Sequence, residues 1–154
     1  MKDKTCCFTG HRDVPLSDYI ILKFKLRREI SRLIKRGVIY FGCGGARGFD
    51  LMAAKTVLKL KKRYPQIYLI LVLPCAKHTL NWYDSDLSKY EYIAKHADKI
   101  KLLSYNYYNG CMHARNRHLV DNSSFCVCYK RHDYGGTAYT FDYAKSQNIE
   151  IISL

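Results

Sequence analysis

Residues 112–142 read MHARNRHLVDNSSFCVCYKRHDYGGTAYTFD. The pattern predicts a helix over 112–122, a short apolar strand over 125–129, and a second helix that opens after the glycine pair Gly135 and Gly136. A strand that ends at glycines just before a helix leaves backbone N–H groups unpaired, beside the positive end of the helix dipole. This stretch therefore predicts a site for an anionic group such as a phosphate.

The rest of the chain repeats this alternation of apolar strands and amphipathic helices. We expect six strands, at 5–9, 38–41, 67–73, 99–103, 125–129 and 149–153, and five helices, at 16–36, 49–63, 82–96, 112–122 and 137–147. Strand 67–73 is apolar on both faces, as a parallel strand covered by helices requires. The sequence predicts an α/β protein with a single doubly wound, mostly parallel sheet and helices on both faces, a Rossmann-like domain spanning residues 1–154.

The composition indicates a cytoplasmic protein. No apolar run approaches the roughly 18 residues of a membrane span, and no charged-then-apolar leader begins the chain, so we expect no membrane partner. The seven cysteines are odd in number and mostly lie in or beside apolar strands, so we interpret them as reduced, small core residues. No C-x-x-C pair occurs and the histidines share no ligand spacing, so we assign no metal and no cofactor.

The positive charge is concentrated in the first half of the chain. Residues 1–63 hold 16 Lys or Arg against 5 Asp or Glu, whereas residues 64–154 hold 10 against 8. The excess lies mainly on the helices predicted over 16–36 and 49–63. A solvated basic face and a track for nucleic acid both fit this charge. Few aromatic residues are interleaved with these cations, so the solvated face is the favoured interpretation.

The loops that follow strands carry the candidate ligand-binding residues, because ligands of such sheets bind beyond the carboxyl ends of the strands. The candidates are Thr9, Gly10, His11, Arg12, Gly44, Gly45, Arg47, Asp50, Arg115, Asn116, Gly135, Gly136 and Thr137. Gly10 allows a tight turn close to a ligand, and Arg12 can pair with a phosphate at two points. His11 can donate to a phosphate or act as an acid or base. A plain turn with solvated side chains is the alternative for this loop.

The roles of Asp50 and of the two arginines at 115 and 117 each have more than one interpretation. The segment 42–50 holds four glycines but matches neither a dinucleotide fingerprint nor a Walker loop, and Asp50 either caps the next helix or accepts from a ribose hydroxyl. Arg115 and Arg117 point to different faces of one helix, so we expect one of them in the site, and Arg117 can pair with Asp121 at i,i+4.

Aromatic residues also follow strands three and four. They are Trp82, Tyr83 and the tyrosines between 105 and 108. They either stack on a base or cover the edge of the sheet, and covering is favoured.

Four ordered motifs resemble the YpsA-like branch of the SLOG superfamily: CCFTGHR at 6–12, GGARGFD at 44–50, ARNRHLVD at 114–121 and GGT at 135–137. The resemblance implies a Rossmann-like fold in which strand 125–129 lies beside strand 5–9. The loops 10–12 and 135–137 would then face each other at the switch point. The superfamily includes LOG-type phosphoribohydrolases, the single-strand DNA-binding protein DprA, and proteins associated with sensing NAD derivatives or ADP-ribose.

The LOG resemblance names Arg115 and Asp142 as candidate catalytic residues. LOG enzymes carry Met-His-Glu-Arg-Lys and later Pro-Gly-Gly-x-Gly-Thr-x-x-Glu. This chain keeps the arginine as Arg115, but Asp142 stands for the glutamate and is one methylene shorter. A misplacement of about 1 Å can lower a rate about 100-fold, so the acid is in doubt and the enzyme question stays open.

We expect a domain that binds or senses a nucleotide such as an NAD derivative or ADP-ribose. The alternatives are a LOG-like hydrolase of nucleoside 5′-monophosphates and a DprA-like binder of single-stranded nucleic acid, the less favoured partner. A homodimer is expected on analogy alone.

Overall fold

The computed structural model describes residues 1–154 and contains one six-stranded sheet. The strands are β1 (Thr5–Gly10), β2 (Tyr40–Cys43), β3 (Tyr68–Leu73), β4 (Lys99–Leu102), β5 (Phe125–Tyr129) and β6 (Glu150–Ser153). The helices are α1 (Leu16–Lys35), α2 (Phe49–Lys61), α3 (Asp84–His96), α4 (Cys111–Asp121) and α5 (Gly135–Ser146), and a short 3-10 turn covers Lys2–Lys4. Every strand pair is parallel, so the predicted fold class is confirmed.

Each face of the sheet has its own core, because side chains alternate between the faces along a strand. From β1, Cys6 and Phe8 enter the larger core, together with Leu26 of α1 and Val57 of α2. Cys7 enters the smaller core, which is covered by α4 and α5. The sheet is therefore buried on both sides, which explains the nearly continuous apolar sequence of its central strands.

The strand order is β4-β3-β2-β1-β5-β6. The chain starts at β1, builds outward to β4 on one side, and then returns to add β5 and β6 on the other side. The expected pairing of strand 125–129 with strand 5–9 is confirmed by the register of β5 on β1. The switch point therefore lies between the carboxyl ends of β1 and β5, where the rule for open sheets places ligands.

The predicted bounds of the second strand are wrong by two residues. The segment expected at 38–41 pairs over Tyr40–Cys43 instead. The Val38 N–H donates to the carbonyl of Leu33, so Val38 closes the end of α1 before the strand begins. Pairing then continues through Gly42, which glycine content alone had assigned to the loop.

The last helix begins two residues earlier than predicted. We expected it at Thr137, directly after the glycine pair. The helix begins at Gly135 instead. Both glycines therefore lie in the first turn, where the backbone N–H groups make no hydrogen bond within the helix. The glycine pair is therefore part of α5.

All seven cysteines are buried, as expected of small core residues. Burial is the largest cause that raises the pKa of the Cys6 and Cys43 thiols well above the usual value, which keeps them neutral. None of the helices has both the length and the apolarity needed to span a bilayer.

Candidate functional site

A cavity of about 570 Å3 opens at the carboxyl ends of β1 and β5. Its size lies within the range of pockets for small ligands. Ten of the predicted ligand-binding residues line it: Thr9, Gly10, His11, Arg12, Asp50, Arg115, Asn116, Gly135, Gly136 and Thr137. The loops 10–12 and 135–137, which the resemblance placed face to face, border the same cavity. We call it the switch-point cavity.

Glycines hold the loop after β1 close to α2. A Cβ atom on Gly10 would lie 2.3 Å from the Phe49 ring, so only glycine allows this approach. The Phe49 N–H donates to the His11 carbonyl at 3.1 Å. Gly48 has a φ of +78°, and a Cβ there would lie 2.0 Å from the Arg12 carbonyl oxygen. This contact between two distant loops fixes the backbone that carries Arg12.

The first turn of α5 presents free backbone N–H groups at the cavity. The turn consists of Gly135, Gly136 and Thr137, and Tyr134 at the N-cap makes no side-chain capping bond. These N–H groups have no partner within the helix, and the helix dipole adds positive potential. A Cβ atom added to either glycine meets nothing within 4 Å. The turn is therefore open to an anionic group.

Arg115 is a buried cation in the cavity wall, with 4% of its surface exposed. Its Nη1 donates to the Gly44 carbonyl, and its Nε donates to Asn116 Oδ1 at 2.8 Å. Burial lowers the pKa of Arg115, and the charge of Asp50 acts in the opposite direction. These bonds fix the guanidinium, because two of its nitrogens are held by neighbouring acceptors.

Asp50 is the buried carboxyl of the same wall. Its Oδ2 accepts from the Ala46 N–H at 3.4 Å, in the loop before α2, and α2 has Gly48 as its N-cap without a side-chain cap. Of the two roles left open for Asp50, capping of α2 is therefore excluded. Burial raises the pKa of Asp50 to about 6, although the charge of Arg115 acts to lower it. The carboxyl therefore changes protonation state close to neutral pH.

A backbone group orients His11. Its Nε2 accepts from the Arg131 N–H at 2.8 Å, which places the proton of the neutral ring on Nδ1. Burial lowers the pKa of His11, and the charges of His132, Arg131 and Lys130 lower it further. The ring is therefore neutral at neutral pH.

The glycine-rich loop after β2 lines the cavity through Ala46, whereas its glycines and Arg47 do not line it. The Gly44 carbonyl accepts from Arg115, and the Gly45 carbonyl lies 3.1 Å from His78 Nε2. Arg47 borders a neighbouring cavity of about 840 Å3. All three strand-end loops that the sequence singled out border the switch-point cavity, and the loop after β2 also holds the buried Arg115 through the Gly44 carbonyl.

Polar side chains of α4 and α5 depart from two expectations. Asp142 is exposed and does not line the cavity, so the structure does not bring it together with Arg115 there. The pairing of Arg117 with Asp121 is wrong, because Arg117 donates to the Tyr139 hydroxyl at 2.8 Å and Asp121 accepts from the Tyr143 hydroxyl at 2.6 Å. These side chains reach across the packed helix pair instead of along one helix.

The segment between β5 and α5 completes the cavity, and sequence reasoning did not assign it. Arg131, His132 and Tyr134 line the cavity there, as do Met112 and His113 of α4. For Arg131, His132 and Tyr134, the position directly after β5 is the signal that could have found them.

The aromatic residues considered for base stacking lie elsewhere. Trp82 packs edge-on against His78 and Tyr90, which agrees with a covering role. Tyr105 and Tyr107 border a separate cavity of about 450 Å3.

A doubly wound parallel sheet with helices on both faces and a cavity at its switch point defines a Rossmann-like protein. The family model YpsA, described as the YspA SLOG family, matches residues 6–151, and the chain belongs to this family.

Its relatives include UPF0398 proteins of Halalkalibacterium and Staphylococcus species. One from Halalkalibacterium halodurans is 30% identical over 129 residues, which cover 82% of this chain and 68% of the relative. One from Staphylococcus saprophyticus is 29% identical over 114 residues, which cover 70% of this chain and 61% of the relative.

Two solved structures of DNA processing protein A share the fold. The protein from Helicobacter pylori, described for its single-stranded DNA binding mode, has a TM-score of 0.68 and 19% identity, over 99% of this chain and 65% of that one. The protein from Streptococcus pneumoniae has a TM-score of 0.70 and 14% identity, over 99% of this chain and 50% of that one. At such identities the likeness shows the fold alone.

Proposed function

We propose that this chain binds or senses a nucleotide, of the NAD-derivative or ADP-ribose class, in the switch-point cavity. The observation that carries the proposal is the first turn of α5. Its free N–H groups and two glycines border the same cavity as the loop 9–12 and the buried Arg115. Helix N-termini of this kind are established binding sites for phosphate groups.

The charges around the cavity support an anionic ligand. Arg12, Arg115 and Arg131 line it, and guanidinium groups bind phosphate oxygens at two points. Two carboxyl groups, Asp13 and Asp50, oppose an anion. The opposition from Asp50 weakens below about pH 6, because burial raises its pKa to about 6.

Binding without hydrolysis is what these residues support best. The hydrolase alternative assigned the acid to Asp142, which is exposed and outside the cavity lining. A carboxyl group that replaces it as the acid would have to be Asp13 or Asp50, since an acid or base must lie within hydrogen-bond reach of the reacting group. Release of ribose 5-phosphate from nucleoside monophosphates would distinguish a hydrolase from a protein that only binds nucleotides.

A thermal-shift titration with ADP-ribose at millimolar excess tests the proposal. A ligand at about 100 times its Kd adds about 2.7 kcal/mol, which raises the Tm of a domain this size by roughly 5 to 10 °C. We expect this shift in the wild type and none in Gly136→Asp. No shift with ADP-ribose, AMP or NAD, while the protein is folded, would contradict the proposal.

A second candidate function, binding of single-stranded nucleic acid, has one observation in its favour. A groove of about 310 Å3 runs between α1 and α2 and contains both aromatic and cationic side chains. Its lining includes Tyr19, Lys23, Phe24, Arg27, Lys55, Lys59 and Arg63. The charge of Lys23 is the largest cause that lowers the pKa of Lys59, so cations crowd one another here without an acidic residue in the groove lining. The linear sequence hid this mixture, because the residues come from two helices.

Salt-dependent binding of a fluorescent oligonucleotide tests this second candidate. Each neutralised lysine in contact with a single strand lowers the slope of log K against log salt by about 0.7. We expect Lys55→Gln with Lys59→Gln to lower the slope by about twice that amount. The matched control, Lys99→Gln with Lys101→Gln on β4, should leave the slope unchanged. Equal effects of both pairs, or no binding at low salt, would exclude the groove.

A further inference from the structure

Three aromatic rings form a stacked row at the switch-point cavity. The His11 and His132 rings have centroids 4.0 Å apart with an interplanar angle of 22°. The His132 and Tyr134 rings follow at 4.1 Å and 18°. All three residues line the cavity, and the row connects the loop after β1 to the residue that precedes α5.

Hydrogen bonds to the backbone hold this row in place. His11 Nε2 accepts from the Arg131 N–H at 2.8 Å, and His132 Nδ1 lies 3.2 Å from the Tyr134 carbonyl oxygen. The His11 ring also packs edge-on against the buried ring of Tyr129, at 5.6 Å. These contacts hold the two histidine rings on which the Tyr134 ring stacks, which lowers the entropy cost of binding against the row.

Tyr134 ends the row with a free ring face. The residue is 71% exposed, and His132 is the one ring that stacks on it. A single exposed tyrosine needs no functional explanation. Tyr134 differs from that case because its ring is stacked on an ordered neighbour. It also borders the cavity directly beside Gly135, where the free N–H groups of α5 begin.

We propose that Tyr134 is the stacking platform for the nucleobase of a ligand whose phosphate is bound at the first turn of α5. This inference rests on the proposed nucleotide-binding function and adds which group of the ligand is recognised by which side chain. Every nucleobase offers a flat π face, so stacking tolerates any base. The platform therefore selects nucleotides over sugar phosphates and does not choose among bases.

A pair of probes that differ only in the base tests the platform. AMP and ribose 5-phosphate are titrated into the wild type, Tyr134→Ala and Tyr134→Phe by calorimetry. Loss of one base–aromatic stack weakens binding roughly 5- to 150-fold. We expect Tyr134→Ala to lose this affinity for AMP and to bind ribose 5-phosphate as the wild type does. Tyr134→Phe keeps the ring and should bind both probes normally.

Tyr83→Ala is the matched control. Tyr83 is also the N-cap residue of a helix and is 77% exposed, but it does not line the switch-point cavity. Its removal should change neither affinity. Equal weakening of both probes by Tyr134→Ala, or unchanged AMP affinity, would overturn the platform while the nucleotide site stands. Failure of the wild type to bind AMP, ADP-ribose or NAD would overturn the proposed function and the platform together.

Discussion

Arg115 on α4 donates from Nη1 to the carbonyl oxygen of Gly44, which lies 71 residues earlier in the chain. The bond joins the helix behind the switch-point cavity to the loop after β2. A Cβ atom on Gly44 would lie 2.7 Å from the guanidinium of Arg115. Only glycine at position 44 therefore leaves room for the arginine in the cavity wall. The stability of the fold and the shape of the candidate site therefore depend on the same contact.

Gly44→Ala should destabilise the protein and weaken ligand binding together. The new methyl group displaces a buried, hydrogen-bonded guanidinium, so we expect the free energy of unfolding to fall by about 1 to 3 kcal/mol. Gly136→Ala is the control, because its Cβ meets nothing within 4 Å, and its stability should stay within about 0.5 kcal/mol of the wild type. Urea unfolding measures the stability of both variants. Equal stabilities of Gly44→Ala and Gly136→Ala would contradict the role assigned to Gly44.

Gly136→Asp should abolish nucleotide binding while the fold survives. The carboxylate extends into open space at the first turn of α5, where it places negative charge at the expected phosphate position. We expect an affinity loss of at least roughly tenfold, measured by calorimetry with ADP-ribose. Gly136→Asn has nearly the same shape without the charge and separates the two effects. Binding by Gly136→Asp at wild-type affinity would place the ligand elsewhere.

Gly10→Ala should be strongly destabilising through Phe49. The added Cβ would lie 2.3 Å from the Phe49 ring, and overpacking of this kind costs about 1 to 3 kcal/mol or more. Phe49→Ala removes the ring atoms nearest to the added Cβ and leaves the Phe49 Cβ at 2.7 Å, so it relieves most of the clash and the double variant should be more stable than the sum of the two single losses indicates. Thermal unfolding of the four proteins measures the coupling. If the losses of stability in the two single variants simply add up in the double variant, the added methyl group does not clash with Phe49.

Asp50 should make stability depend on pH in the acidic range. Its pKa is raised from 3.8 to about 6 in the folded protein, so the folded state binds the proton more tightly than the unfolded state does. Its contribution is therefore greatest below about pH 4 and is lost as pH rises through about 6. We expect the stability of the wild type relative to Asp50→Asn to fall by about 2 to 3 kcal/mol between pH 4 and pH 7. A pH-independent difference would mean that Asp50 titrates normally.

The sequence predicted the fold and the two glycine-containing loops at the switch-point cavity, and the reason is topological. Strand ends of a parallel sheet lie on one edge, so Gly10 and Gly136 could be placed there from local pattern alone. The family resemblance then supplied the neighbour relation of β1 and β5, which is confirmed.

The remaining features depend on contacts that no local pattern encodes. Gly44 was interpreted as part of an anion cradle, but its glycine makes room for a side chain 71 residues away. Asp142 matched a motif by position, yet α5 leaves it exposed. The stacking of Tyr134 on His132 was not predicted, because a position after β5 indicates the edge of the cavity and not which rings meet there. The ligand class, the cytoplasmic location and the homodimer stay predictions.

An NMR titration of backbone amide signals with ADP-ribose tests the central claim most directly. The chain has 154 residues, a size suited to assignment of individual amides. We predict that the largest shifts fall on the amides of Gly135, Gly136 and Thr137, with further shifts in the loop 10–12. Saturable shifts confined to the groove between α1 and α2, or no shifts at millimolar ADP-ribose, would contradict a nucleotide site at the switch point.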